Sequence, residues 1–494
     1  MNLREAASLM NASAAGVVVA LLETEIAGYA IDSRATQRGE LFFAMSPEDY
    51  TRAGFNGTFA DAHEFIPQAF ENGAIAAVAH RERAHESDAL KAFSDRLLLV
   101  DDGIVALQTL AHKVYEKWAR PVVAITGSAG KTTAKELTAH LLSASEQRVL
   151  KSERNYNNGL GLPLSVLQMV SEGRTPDEFD VAVLEMGMSS PMHEIARLCK
   201  ITPPDIGVEL LVAPVHLEHL GTIENIAAAK AELIEGLKAT GTAVLNADDE
   251  LVIAMRAKHV GAALTFGIEN RADVMATEIE TGRFGRSRFR LHTPRGTAQA
   301  ELPLPGRHNL MNALAASAVA SCFEIEPERI AEALRTVKTA KMRGEVFDFA
   351  AGFEVIDDSY NSNPRSLLSM VRTLMEGGGH ASRRIVVAGE MLELGTDAAQ
   401  MHREAGREIA CAGVEVLWCV RGLARELLAG ARAGGMSENN LRFFEDSEEA
   451  AAALLNEIRE GDLVLIKGSR GVQTDKVVKR LRERFPLVGA DERE

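Results

Sequence analysis

At 494 residues the chain has room for two to four domains with their own cores, and 46% hydrophobic with 25% charged residues is the make-up of an ordinary globular protein. A formal net charge of −16 argues against nucleic acid or an anionic membrane as partner, because both require a basic surface. An anionic ligand remains compatible, provided backbone amides and a few local cations receive it. The four cysteines (Cys199, Cys322, Cys411, Cys419) show no C-x-x-C pairing and suit a reducing cytosol. The early apolar run GVVVALL is a poor signal peptide and too short to cross a bilayer, so a cytoplasmic protein is expected.

In chain order, residues 1 to about 112 mix short strands (ELFFAM, AIAAVAH, RLLLVDD) with helices and a polar, glycine-bearing loop, SPEDYTRAGFNGTF. The helical stretch GIVALQTLAHKVYEKWAR leads to Pro121, a linker position. Next come the strand PVVAIT, a glycine loop, and a helix placing Ala134, Leu137, Leu141 and Ala144 on one face. The strands DVAVLEMG and TAVLNAD follow, and the region closes with the alanine-rich helix HNLMNALAASAVASCF. From about residue 345 the strands FEVIDDS, RRIVVAG, VEVLWCV, LRFFED and DLVLIKG alternate with helices. Such alternation predicts an α/β fold with parallel, doubly wound sheets. No internal repeat is visible. The expected divisions are 1–115, 116–342 and 343–494.

The segment VVAITGSAGKTTAKEL carries the clearest chemistry. Glycines let backbone amides approach phosphates, a helix start adds partial positive charge, and Lys131 can reach the terminal phosphates. Thr132 supplies a hydroxyl for magnesium. The loop is shorter than G-x-x-x-x-G-K-[ST], having Ile125 where that pattern has its first glycine. A glycine-rich turn that binds nothing is the competing reading.

Other candidates are weaker on spacing alone. Glu185 ends the apolar strand VAVLEMG, where parallel sheets bind ligands; it would hold magnesium or point into solvent. In the stretch TIENIAAAKAELIEGL, Lys230 falls on the core-facing stripe with Ile223, Ile226, Ala227, Leu233, Ile234 and Leu237. A lysine there either snorkels to an edge or is a desolvated, reactive amine able to take up carbon dioxide as a carbamate. His216 and His219 lie just upstream. Asn309 and Asn312, three apart at a helix start and hence on one face, would read adenine edges, or Asn309 would cap the helix. Asp357 and Asp358 end a strand, suited to ribose hydroxyls or to an Asx-turn before Pro364.

Taken together, TGSAGKTTAKEL, NYNNGLGLPLSVL, LEMGMSS, HLEHLGTIENIAAAKAEL, LNADD, PGRHNLMNALAA, DDSYNSNPRSL, GEMLELG with His402 downstream, and LIKGSRG resemble the Mur ligases. These are ATP-dependent amide-bond-forming enzymes of peptidoglycan precursor synthesis, and they use the short T-G-x-x-G-K-T loop. The motifs run in family order from about residue 120 to 475. The resemblance implies three domains: an N-terminal α/β uridine-nucleotide-binding domain, a central P-loop ATPase-like parallel-sheet domain and a C-terminal Rossmann-like domain. It places Gly127, Ser128, Ala129, Gly130, Lys131, Thr132 and Thr133 around the ATP phosphates. Glu185 and His216 become magnesium ligands with Thr132, and Lys230 the carbamylated lysine. Asn309 and Asn312 become adenine contacts, Arg343 and Asp358 nucleotide contacts, and Ser33, Arg34, Asn157 and Asn158 substrate-side positions. The expected substrates are UDP-N-acetylmuramoyl-tripeptide and D-alanyl-D-alanine, acting on a monomer that closes its domains over them.

The chain departs from the family at Arg154, His193 and Leu211, and through an insertion around residues 46–59. S-N-P-R within DDSYNSNPRSL is similar to a motif of the lysine- or diaminopimelate-adding relative, but stands at the start of the third region. A sister ligase and a nucleotide switch that ligates nothing are the rival functions.

Overall fold

The computed structural model of the chain describes residues 1–153, 156–188, 193–214, 221–282, 286–338 and 341–488. It forms two compact units, one of Met1–Gly127, Thr138–Leu210 and Ala227–Leu264, the other of Ser128–Leu137, Leu211–Ile226 and Thr265–Glu494.

The first unit opens with four parallel strands, Gly28–Ala30 (β1), Glu40–Phe43 (β2), Ala76–His80 (β3) and Leu97–Val100 (β4), paired in chain order. Phe42, Phe43 and Ala76–Ala79 are fully buried, the continuous apolar pattern of strands covered on both faces. Asp102 then caps the helix Gly103–Trp118 by accepting from the Val105 amide at 2.9 Å. That helix ends where Ala119 turns left-handed at φ 50°.

Five more parallel strands follow: Val122–Thr126 (β5), Val149–Lys151 (β6), Val181–Glu185 (β7), Ile206–Glu209 (β8) and Thr242–Asn246 (β9). They lie in the order β9-β8-β5-β7-β6, so β5 and β7 are central, and every residue of both is buried. Their carboxyl ends deliver Thr126 with the glycine loop, and Glu185.

In the second unit, Ala262–Gly267 (β10) pairs through Phe266 and Gly267 with Val274–Thr281 (β11). Ser287–Thr293 (β12) and Gly296–Leu302 (β13) extend it antiparallel. Burial in β12 mostly alternates residue by residue, as one solvated face requires. A six-stranded sheet follows: Glu345–Asp348 (β14), Glu354–Asp358 (β15), Arg383–Gly389 (β16), Val416–Val420 (β17), Leu441–Phe444 (β18) and Asp462–Lys467 (β19). Its order is β14-β15-β19-β16-β17-β18, parallel except for β14. One apolar cluster around Leu367, Leu374 and Ile409 covers one face, and another around Phe353, Trp418 and Leu481 covers the other. This is the doubly wound α/β architecture expected. The last strand inserts between β15 and β16, which brings the ends of these three together. Among the described residues, no helix is long and apolar enough to cross a membrane.

Candidate active site

From β5 the chain enters the loop with Gly127 at φ +151° and Gly130 at φ +86°, and the helix Lys131–Ala144 begins at once. The second angle lies in left-handed space, and a methyl group on Gly130 would collide with the Asn312 side-chain amide. The turn is therefore built for a residue without a side chain at Gly130, which lets a ligand approach the backbone closely there. Ser128 fixes the turn from the other side. Its amide donates to the Leu211 carbonyl at 2.8 Å, its hydroxyl donates to the Ala213 carbonyl at 3.1 Å, and the same oxygen accepts from the Ala213 amide at 2.9 Å. Because Leu211 contributes only its backbone here, its side chain is released from the family pattern. Gly130→Ala should lower stability by about 1–2 kcal/mol through the left-handed backbone and raise the KM for nucleotide roughly tenfold. Thermal melts and initial rates at varied ATP check both effects.

Asn312 and Asn309 are both buried on the helix Arg307–Cys322. Asn309 does not cap it; its amide donates to the Pro305 carbonyl at 2.7 Å and holds the preceding turn. His308 beside them meets the Ser369 hydroxyl at 3.0 Å, and burial pulls its pKa down to about 4. It is neutral at pH 7 and lends no charge to an anion. Arg343 does: its guanidinium donates to the Thr132 hydroxyl at 3.3 Å and lies over the Tyr360 ring at 4.1 Å.

At the end of β15 the two aspartates part company. Asp357 accepts from the Ser359 amide and hydroxyl at 3.1 and 2.5 Å, and burial pushes its pKa up to about 6. This is the Asx-turn alternative. Asp358 instead pairs with Lys467, a 3% exposed lysine at the end of β19 that also donates to the Asn361 carbonyl at 2.9 Å. Sequence reasoning missed Lys467, which lies within LIKGSRG. Its signal is a charged residue closing an apolar run, 463–466, as Glu185 closes 181–184.

In the first unit, Glu185 is 3% exposed and accepts from the Asn157 amide at 2.9 Å, which removes the solvent-facing reading. Asn158 turns inward, accepting from the Leu160 and Gly161 amides at 3.1 and 2.9 Å. Lys230 is 2% exposed on the helix Ile223–Glu235, so it is buried rather than snorkelling. Glu232 nearby on the helix accepts from the His193 ring at 2.8 Å and the Ala196 amide at 3.1 Å. His193 is left-handed at φ 52°, the reason a glycine is at home there. Ser33 is buried and donates to Gln68 at 2.7 Å, whereas Arg34 is exposed and forks onto Asp32. His216, His219 and Arg154 lie outside the described residues. Thr132 and Glu185 are hard oxygen donors of the kind magnesium takes. Among the described residues, no cluster of three histidine, cysteine or acidic groups could hold a metal.

The model of the Mur ligase middle domain matches residues 125–320, and that of the Mur ligase glutamate ligase domain matches 342–470. The chain belongs to the Mur ligase family. The UDP-N-acetylmuramoyl-tripeptide–D-alanyl-D-alanine ligase of Bacillus subtilis (strain 168) is 31% identical over 463 residues, covering 93% of this chain and 94% of its own. A crystal structure of MurF from Acinetobacter baumannii aligns at a TM-score of 0.81 and 29% identity over 98% of this Mur ligase and 99% of that chain. MurF of Thermotoga maritima, solved in complex with ADP, aligns at 0.76 and 27% identity over 93% and 97%.

Proposed function

We propose that this Mur ligase is an ATP-dependent enzyme joining D-alanyl-D-alanine to UDP-N-acetylmuramoyl-tripeptide. The observation that carries the reading is the side-chain-free turn at Gly130, closed by Asn312 and continued by Lys131, in a chain similar throughout to ligases of that name. A carboxylate at neutral pH is a poor target for an amine and first needs a leaving group. The acceptor's terminal carboxylate oxygen attacks the γ-phosphorus of ATP, the bond to the bridging oxygen breaks, and ADP departs. The amine of D-alanyl-D-alanine then adds to the acyl carbon, loses its proton, and expels phosphate as the amide forms.

In this reading the turn running from Gly127 through Ala129, Gly130 and Lys131 to Thr133 cradles the phosphates, Ser128 fixes its shape with an amide already donated to Leu211, and Lys131 stabilises charge on the transferred phosphate. Asn309 and Asn312 face the adenine, while Arg343 and the Asp358 carboxylate held by Lys467 position the nucleotide. Thr132, Glu185, His216 and Lys230 as its carbamate would hold magnesium, which supplies charge neutralisation between the two anionic reactants. Ser33, Arg34, Asn157 and Asn158 serve the acceptor. Three functional domains at 1–115, 116–342 and 343–494, a monomeric state and a cytoplasmic location complete the proposal.

Phosphate release with purified protein tests it. Release should require ATP, the UDP-linked tripeptide and D-alanyl-D-alanine together. Release from ATP alone, unchanged by either substrate, would make the chain a nucleotide switch. Turnover of a dipeptide acceptor with L-lysine or diaminopimelate would make it the sister ligase.

A further inference from the structure

The insertion around residues 46–59 folds into an aromatic knot. Tyr50 stacks on Phe59 with centroids 3.9 Å apart and planes 8° apart, and Phe55 meets Tyr50 edge-on at 5.7 Å. The three rings are partly exposed. This knot reaches two segments of its own unit. A methyl group on Gly159 would lie 3.5 Å from the Phe55 ring, and one on Gly54 would lie 3.0 Å from both terminal guanidinium nitrogens of Arg197. Gly159 closely follows Asn157, whose amide holds Glu185 and packs on Gly187. Arg197 sits on the helix Glu194–Ile201, in the segment that follows Gly187. The knot therefore bridges two segments that converge at the carboxyl end of β7.

Arg197 is the unusual group here. It is partly buried, yet its guanidinium has no ion pair or hydrogen bond among the described residues. Its neighbours are already satisfied: Glu232 is taken by His193 and the Ala196 amide, and Arg52 of the insertion is paired with Asp49 and Asp102. A half-desolvated guanidinium without a partner is an open carboxylate receptor, since its planar fork matches two oxygens. Phe55, next in the chain to Gly54 and partly exposed, offers an apolar face to a methylene chain.

We propose that Arg197 and the Tyr50–Phe59 knot select an acceptor whose third residue ends in a carboxylate beside its amino group, as diaminopimelate does, over one ending in a bare ammonium, as lysine does. The inference rests on the reading of Asn157 and Glu185 as lying at the reacting end of the acceptor. The methylene stem lies along Phe55 and the distal carboxylate meets Arg197. A lysine ammonium in the same place would face a like charge.

Steady-state rates with the diaminopimelate- and lysine-containing UDP-N-acetylmuramoyl-tripeptides, at saturating ATP and D-alanyl-D-alanine, test it. The unaltered chain should favour the diaminopimelate acceptor in kcat/KM by roughly tenfold or more, as pairing an otherwise unpaired charge implies. Arg197→Gln should erase that preference by raising KM for the diaminopimelate acceptor, with an unchanged melting temperature showing that the variant is folded. Arg197→Lys should retain part of it, and Arg197→Glu should reverse it. Equal use of both acceptors, a preference for the lysine acceptor, or a diaminopimelate preference untouched by Arg197→Gln would overturn the assignment of Arg197 while leaving the ligase reading standing. Turnover of neither acceptor would overturn the ligase reading beneath it.

Discussion

Lys131→Ala should reduce amide synthesis by roughly a hundred- to a thousandfold or more in kcat, the loss expected when a preorganised group facing developing charge is removed. Lys131 opens the helix directly after Gly130 and is only partly exposed. In the proposed function its ammonium, the loop backbone and the helix start act on the same phosphates. Removing the ammonium leaves the amides, so nucleotide binding should weaken less than turnover. The split should appear as a fall in kcat larger than the rise in KM for ATP, with an unchanged melting temperature. Retained amide synthesis would place the phosphates elsewhere.

Lys230→Ala should cost roughly a hundredfold or more in activity while the protein stays folded, as expected for a group that holds or orients a catalytic metal. The side chain is 2% exposed on the core-facing stripe of its helix. A neutral amine adds to carbon dioxide, losing one proton and gaining an anionic oxygen pair. Short carboxylic acids entering the space left by the alanine should restore part of the activity. Mass spectrometry after alkylative trapping should find the added carboxyl on Lys230 in the unaltered chain. Full turnover in the variant, or rescue by no carboxylate, would remove the carbamate from the account.

Much of this fold was legible because its strands are continuous apolar runs. β5, β7, β16 and β19 each hold a short block of Val, Ile, Leu or Ala between turn signals. The antiparallel strands β11–β13 were not read. VMATEIET and GTAQAEL are half polar, and an alternating pattern that short is also common in loops.

The phosphate loop was legible because all its parts lie within a dozen residues. The partners of that loop were not, since Gly130 against Asn312 and Arg343 against Thr132 are separated by some two hundred residues of chain, and local spacing carries no record of pairing at that range. Arg197 was passed over for a similar reason: its meaning comes from the absence of a partner, which only the fold reveals. Where two readings competed, burial decided between them. Glu185 and Lys230 are enclosed rather than solvated, whereas Asp357 serves its own turn and leaves Asp358 to the ion pair.

Oxygen tracing tests the central claim most directly. With the acceptor's terminal carboxylate labelled with oxygen-18, phosphoryl transfer to that carboxylate followed by amine attack on carbon must carry one labelled oxygen into each phosphate released. Phosphate containing only unlabelled oxygen, formed alongside the amide, would mean that the carboxylate is never phosphorylated and would contradict the account.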